Sequence, residues 1–445
     1  MKVLLINPEI RTWALPNVFP SGLGYIAAVL VKEGHEVEVL DLNANRMTDL
    51  ELAEYLCTIP GPDLVGVTGI ITQYNEVKKI ANACKKMLGP RVPIVCGGPL
   101  ATSISDLILI NTDVDVVVLG EGEKAIFDII EKIEAISEGI PLKCRSRDDL
   151  IQNLDTIPWP EYDLFPMDVY LDNPIGYYNT RKWKDGKVSS DEPCINTMNI
   201  VGSRGCPFSC IFCYHNYMGD GHRRRGVYDV VDEMYYLYWR YNASYIHFVD
   251  DAFCCNRSAM FNFCKAIGEV PIEWSCAGRP GIMDEILASK MHNAGCLGIC
   301  YGLESGSQKI LNRLNKGVTI KQYERAIELS KHFFSYEDYS FIIGSPGETD
   351  ETINESIKFC EDNGIVPNAV FYMTPYPGTP LFDELLKTDP EFIDMVNTPE
   401  LFEGWIATLD EQGLNIAWDC CGAGHEKLQE WRQKFIEETV IWNKK

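Results

Sequence analysis

The stretch GCPFSCIFC, residues 205–213, sets three cysteines within eight residues. Cys206, Cys210 and Cys213 follow the spacing C-x3-C-x2-C. Three thiolates suit a metal, yet a tetrahedral structural zinc usually takes two ligand pairs. No second pair with that spacing lies nearby. Cys254–Cys255 and Cys420–Cys421 are adjacent in the chain, a poor geometry for one tetrahedral ion. His215 would complete a Cys3His zinc site. A [4Fe–4S] cluster fits the pattern better, because one iron can go without a cysteine. That open iron is where a substrate or cofactor would chelate.

From the cysteines toward the C-terminus the chain alternates regularly. TMNIVGSRGC reads as a strand entering the cysteine loop, and RGVYDVVDEMYYLYWRYN as a helix. The strands SYIHFVDDAF, IEWSCAGRP, CLGICYGLESGS, YSFIIGSPGET and AVFYMTPYPGTP follow, with helices between them. Six βα units predict a partial (β/α)6 barrel over residues 191–385, with chemistry on the loops after the strand C-termini. Residues 386–445 read as a small, mostly helical region capping the barrel mouth.

Toward the N-terminus, KVLLIN, HEVEVLDLN, DLVGVTGI, VPIVCGGP and VDVVVLGEGE are short apolar strands separated by helical stretches such as GLGYIAAVLVKEG. This α/β alternation predicts a doubly wound parallel sheet over residues 1–140. The strands run into Asn7, Gly69, Gly97–Gly98 and Gly120, at the end where open α/β sheets bind ligands. A single glycine there is most simply a tight turn; the bunching favours a ligand. No G-x-G-x-x-G follows the first strand, so a dinucleotide is not indicated. Residues 141–190, rich in Pro and aromatics around IPWPEYDLFPMDVY, read as a connector.

The composition narrows the function. With 445 residues, 46% of them hydrophobic, the chain is long enough for two or three domains. A formal net charge of −24 argues against nucleic acid as a partner. The N-terminus MKVLLINPEI lacks the apolar core of a signal peptide, and no apolar run reaches the ~20 residues of a membrane helix. A cytoplasmic location is expected, so the 17 cysteines are not a disulfide framework. The one dense basic run, GHRRRG at 221–226, is read either as a solvated face or as a contact for an acidic cofactor or substrate group.

C-x3-C-x-Φ-C, with Phe212 in the aromatic position, resembles the radical S-adenosylmethionine (SAM) superfamily. CGGPLAT, VLGEGE, FVDDAF, WSCAGRP, YGLESGS, GSPGET and PYPGTP resemble, in order, the blocks of its cobalamin-binding branch. The resemblance implies an N-terminal Rossmann-like sheet for vitamin B12. It also implies a [4Fe–4S] cluster on Cys206, Cys210 and Cys213, with the amino and carboxylate groups of SAM filling the open iron. For SAM it points to Phe212 against the adenine, Asp250 and Asp251 at the amino end, and Arg279 on the carboxylate. Glu304 would accept from ribose or amine, and Gly344, Pro346 and Gly347 would shape the adenine loop. Each has a plainer role: Phe212 packing under the loop, Asp250 or Asp251 capping a helix, Glu304 paired with Arg279. For cobalamin the candidates are Thr68, Gly69, Gly98, Pro99, Gly120, Glu121 and Gly122, with Gln73 or Tyr74 beneath the cobalt. None of the 7 histidines lies in D-x-H-x-x-G, so no His ligand to cobalt is expected.

The implied reaction is methylation of an unactivated carbon of a small molecule through methylcobalamin and a 5′-deoxyadenosyl radical. An electron donor such as flavodoxin or ferredoxin is implied. A radical cyclase or ring-rearranging enzyme of the same branch is the alternative. An iron–sulfur electron carrier or redox sensor is a second, although it would need neither six βα units nor a second ligand sheet.

Overall fold

The computed structural model describes residues 1–138, 142–145, 150–175, 195–214, 221–268, 271–410 and 413–442. His215 and the second part of the expected connector, from 176 on, lie outside the described residues. Two parallel sheets dominate. The first comprises β1 (Lys2–Asn7), β2 (Glu36–Asp41), β3 (Leu64–Thr68), β4 (Ile94–Gly97), β5 (Val116–Leu119) and β6 (Leu142–Arg145), ordered β2-β1-β3-β4-β5-β6. The strand order reverses between β1 and β3, which places a ligand crevice at their C-terminal ends. β6 was not anticipated; it falls in the stretch read as connector.

The second sheet contains β7 (Asn196–Ile200). A two-stranded antiparallel ribbon follows, β8 (Ser203–Arg204) with β9 (Arg223–Arg224), and it closes the cysteine loop at its base. Then come β10 (Ala243–Phe248), β11 (Glu273–Ala277), β12 (Cys296–Glu304), β13 (Tyr336–Ile343) and β14 (Ala369–Tyr372). The order β14-β13-β12-β11-β10-β7 is sequential and parallel, an open half-barrel of six strands. The expected fold class, a doubly wound sheet followed by a partial barrel and a helical C-terminal region, is the one observed.

Each face of the first sheet feeds a different apolar core. Val3, Leu5, Val95, Val116 and Val118 join the core of the barrel strands and their outer helices. Leu4, Ile6, Val65 and Val67 join a second core with Leu381, Phe382, Phe392 and Trp405 of the C-terminal helices, against which Ile211 and Phe212 of the cysteine loop pack. The C-terminal region therefore divides. Glu403, on the helix Pro399–Ala407, accepts from Tyr74 Oη at 2.6 Å, Lys78 Nζ at 2.6 Å and Asn111 Nδ2 at 2.7 Å, all on the first domain. The last helix, His425–Trp442, packs on the helix Asp350–Asn363 and on β13. It is not one cap over the barrel mouth. Among the described residues no helix is long and apolar enough to cross a membrane.

The two sheets also meet through buried charge. Arg204 Nη1 donates to Glu121 Oε1 at 2.9 Å and Nη2 to Glu123. Arg223 Nη1 and Nη2 reach both oxygens of Glu121, at 3.0 and 2.8 Å. All four side chains are under 10% exposed. Arg225 is likewise buried, donating to Glu233 and to the Val201 carbonyl at 2.9 Å. Both readings of the basic run are thus corrected at Arg223 and Arg225: neither is solvated nor offered to a ligand. Burial alone would raise the Glu121 pKa, but the hydrogen bonds and charges of Arg223 and Arg204 outweigh it and hold it below its usual value.

Removing one partner of a buried pair strands the other, so Arg204→Met should cost about 3–5 kcal/mol in chemical denaturation. Arg240→Ala, in the exposed pair with Asp163, should leave stability unchanged within error. Because the Glu121 pKa is depressed in the fold, the clamp's contribution is present above about pH 4.3 and fades as pH falls through the folded value. Equal losses for the two variants at pH 7 would contradict the clamp.

Candidate cofactor sites

The cysteine loop is held along its length. Ile211 N donates to Leu314 O at 3.1 Å, and Leu381 N to Ile211 O at 2.9 Å. Asn315 Nδ2 reaches both Ser209 O and Ser209 Oγ at 2.9 Å. The Arg279 guanidinium stacks 3.4 Å from the Phe208 ring centroid and donates to the Lys316 carbonyl. Burial pushes the Cys213 thiol up to about 12, helped by Asp251 and by the other two cysteines. Cys206 is raised too, first by burial and then by Asp251 and Cys210 against the opposing pull of Arg279. Thiols so placed are a donor set for a strongly cationic partner, which would draw off their protons. Among the described residues, no three His, Cys, Asp or Glu side chains converge on one ion-sized point, as a mononuclear zinc requires. A cubane takes one thiolate on each of three irons and needs no such convergence.

The candidates for SAM separate into internal and outward groups. Asp250 is 5% exposed; it accepts from Gly202 N at 2.9 Å and from Ser203 Oγ, and burial pushes it up to about 6. It braces the strand end that leads into the ribbon, which is not the expected ligand contact. Asp251 beside it is exposed and electrostatically coupled to Cys206 and Cys213. Glu304 is paired, but with Lys316 Nζ at 2.7 Å and not with Arg279. It holds φ at 65°, a left-handed conformation costly for a glutamate. Lys316 lies 5.8 Å from the Phe212 ring centroid and opposes the pKa rise of Cys213. Sequence reasoning missed Lys316, which links Glu304, Arg279 and the cysteine loop. Gly344, at φ 91°, and Ser345 donate their backbone N–H groups to Glu348, whose buried carboxyl is pushed up to about 7. Pro346 is buried and Gly347 exposed in the same turn.

In the first domain a cavity of about 180 Å3 lies at the C-terminal end of the sheet. Its floor is Leu5, Gly66, Val95 and Val118; Tyr25, Ile26 and Ile126 wall it. Thr68, Gly97, Gly98, Gly120, Glu121 and Gly122 rim it, and Arg204 closes one side. Five of the nine cobalamin candidates, Thr68, Gly98, Gly120, Glu121 and Gly122, therefore come together. Gly69, Gln73, Tyr74 and Pro99 are not part of its lining. Gln73 is tied to the Pro8 and Glu9 carbonyls at 3.1 and 3.0 Å, and Tyr74 to Glu403, so neither side chain is available beneath a cobalt. Both Glu121 oxygens serve the clamp. The glycines make the space: a Cβ on Gly66 or Gly122 would strike Leu5 or Ile26, and one on Gly97 would meet nothing within 4 Å.

The B12 binding domain family matches residues 14–130, and the Radical SAM superfamily matches residues 200–360. An uncharacterized methyltransferase of Pyrococcus horikoshii is 32% identical over 409 residues, covering 86% of this chain and 83% of that protein. The chain belongs to the B12-binding radical SAM family. Cytidylyl-2-hydroxyethylphosphonate methyltransferase of Streptomyces wedmorensis is 26% identical, over 91% of this chain and 87% of its own. The anaerobic magnesium-protoporphyrin IX monomethyl ester cyclase of Rubrivivax gelatinosus is also 26% identical, over 86% and 70%. Among solved structures, the radical SAM methyltransferase TsrM of Kitasatospora setae, with cobalamin and a [4Fe-4S] cluster bound, superposes with a TM-score of 0.65 at 21% identity. That match covers 87% of this B12-binding radical SAM protein and 78% of TsrM.

Gly97 has φ −120°, a conformation any residue adopts. Gly97→Leu should fill the cavity without disturbing the fold. Its unfolding midpoint should match the parent, while hydroxocobalamin retained after desalting, read by absorption, should fall by on the order of tenfold or more. Undiminished cobalamin on a folded variant would place the cofactor elsewhere.

Proposed function

We propose that this protein methylates an unactivated carbon of a small-molecule substrate, using a [4Fe–4S] cluster, SAM and cobalamin. The observation that carries the reading is the clamp itself. Glu121 rims the apolar cavity and also binds the two arginines at the base of the cysteine loop, so the two candidate cofactor sites share a wall. When bound, the cluster supplies the electron that cleaves SAM, and cobalamin supplies methyl carriage.

The chain's own groups hold and shield. Cys206, Cys210 and Cys213 would ligate three irons and leave the fourth to SAM. Asp251 suits the SAM ammonium, and Glu304 with Lys316 offers an acceptor and a cation to its amino-acid and ribose ends. Arg279, committed to the Lys316 carbonyl and the Phe208 ring, acts by positioning the loop. The Gly344–Pro346 turn, fixed by Glu348, borders the adenine. Phe212 contributes packing to the core shared with the first domain. Thr68, Gly97, Gly98, Gly120 and Gly122 would receive cobalamin. At about 180 Å3 the cavity would take a flat bicyclic group such as cobalamin's benzimidazole and not a whole corrin. A flavodoxin- or ferredoxin-type donor in the cytoplasm would supply electrons.

The similarity to an anaerobic cyclase supports a second reading, radical cyclisation on the same cofactor apparatus. Product counting separates the two. Methylation should yield one 5′-deoxyadenosine and one S-adenosylhomocysteine per methylated product in anaerobic turnover. Deoxyadenosine without S-adenosylhomocysteine would favour cyclisation; SAM left intact by the reduced protein would exclude both.

A further inference from the structure

Parallel strands of a sheet covered on both sides are apolar on both faces. The half-barrel departs from this on its inner side. Ile246 and Phe248 of β10, Trp274 and Cys276 of β11, Ile299 and Tyr301 of β12, and Tyr339 and Phe341 of β13 face the outer helices in the barrel's apolar core. Alternation turns Tyr245, His247, Ser275, Cys300, Tyr336 and Asp338 to the opposite side, and none of the six belongs to either apolar core. The register aligns them: His247 pairs with Ser275, and Cys300 with Asp338.

They also bond to one another. Ser275 Oγ meets His247 Nδ1 at 2.7 Å and the Tyr245 hydroxyl, and Tyr336 Oη donates to Asp338 Oδ2 at 2.9 Å. Burial holds the His247 imidazole down to about 4, so it stays neutral at working pH. His247, Cys300 and Asp338 are each partly exposed on this side. The polar side chains satisfy one another in part, and the partly exposed His247 and Asp338 can take water or a polar ligand besides.

The charge of that face is one-sided. The six barrel strands contain no Lys or Arg, whereas this face carries Glu273, Asp338 and, at the end of β12, Glu304 paired with Lys316. A phosphate or carboxylate entering the lumen would meet acceptors and a like charge. An ammonium or a set of hydroxyls would meet partners.

We propose that His247 and Asp338, on the lumen face of the half-barrel, select a small substrate carrying a protonated amine or hydroxyl donors over one carrying a carboxylate or phosphate. This rests on the methyltransferase reading and narrows its substrate class. Asp338 accepts from the ammonium or a hydroxyl, and His247, its Nδ1 held by the buried Ser275, presents a fixed polar edge.

The test uses the full chain, reconstituted anaerobically with cluster, cobalamin and SAM. The probes are phenethylamine, 2-phenylethanol, phenylacetate and phenethyl phosphate, matched in hydrocarbon and compared by ligand-observed NMR titration. The amine should bind on the order of tenfold more tightly than phenylacetate or phenethyl phosphate, with the alcohol between. Asp338→Asn should remove that preference while the alcohol binds as before. A preference for the acid or phosphate, binding of the amine indifferent to Asp338→Asn, or no binding of any probe would overturn the proposal. The ranking on the parent protein decides the matter even if the variant does not fold. Cluster and cobalamin absorption on the same samples separates the two failures: intact spectra with no amine preference refute this inference alone, whereas absent spectra refute the function it rests on.

Discussion

Two glutamates and two arginines, buried where the two sheets meet, set the geometry on which the rest depends. Burying four charges is expensive, and the Coulomb attraction only roughly offsets the lost hydration. Their arrangement is better understood as fixing position than as adding stability. Arg223 spans both oxygens of Glu121, Arg204 divides between Glu121 and Glu123, and Arg223 also donates to the Ile151 carbonyl at 2.8 Å. Such multiply satisfied pairs tolerate little sliding. The arginines sit on the ribbon that opens and closes the cysteine loop, and the glutamates follow β5 on the cavity rim. The clamp therefore sets the separation between the two candidate cofactor sites.

Other contacts reinforce that placement. The cysteine loop hangs from the ribbon and is tied by backbone to Leu314 and Leu381. Its apolar residues, Ile211 and Phe212, pack on the core that continues into the first sheet. Glu403 gathers three donors from the first domain and brings the C-terminal helices into the same core. The Lys316–Glu304 pair completes the ring on the barrel side. A methyl group and a radical must meet on one substrate, and a structure that fixes both cofactor sites to common walls serves that need.

Most of the fold was legible because its signals are local: apolar runs of strand length, helical spacing, and glycines at strand ends. The cysteine spacing was legible for the same reason. What escaped is tertiary. Arg223 of GHRRRG looks like part of a surface run because its neutralising partner, Glu121, lies 102 residues before it. A dense basic run in an acidic chain needs acids near it, and GEGE was available, but spacing alone does not pair them. Lys316 sits in the unremarked loop LNKG, and only the fold brings it to Glu304. Asp250 and Asp251 are neighbours in sequence, yet one faces inward to Gly202 and Ser203 and the other outward; a dipeptide does not reveal which. Gln73 and Tyr74 were placed beneath the cobalt by their position after β3, and their hydrogen bonds assign them to holding the chain. The polar face of the barrel was hidden because single polar residues in buried strands read as noise until the register aligns them.

The central claim is that three cysteines hold an iron–sulfur cube and leave one iron for SAM. Electron paramagnetic resonance of the anaerobically reconstituted, dithionite-reduced protein tests it most directly. The account predicts a [4Fe–4S]+ signal whose g-values shift when SAM is added, because the amino and carboxylate groups join the open iron. A signal indifferent to SAM, or protein that carries zinc and no such signal, would contradict it.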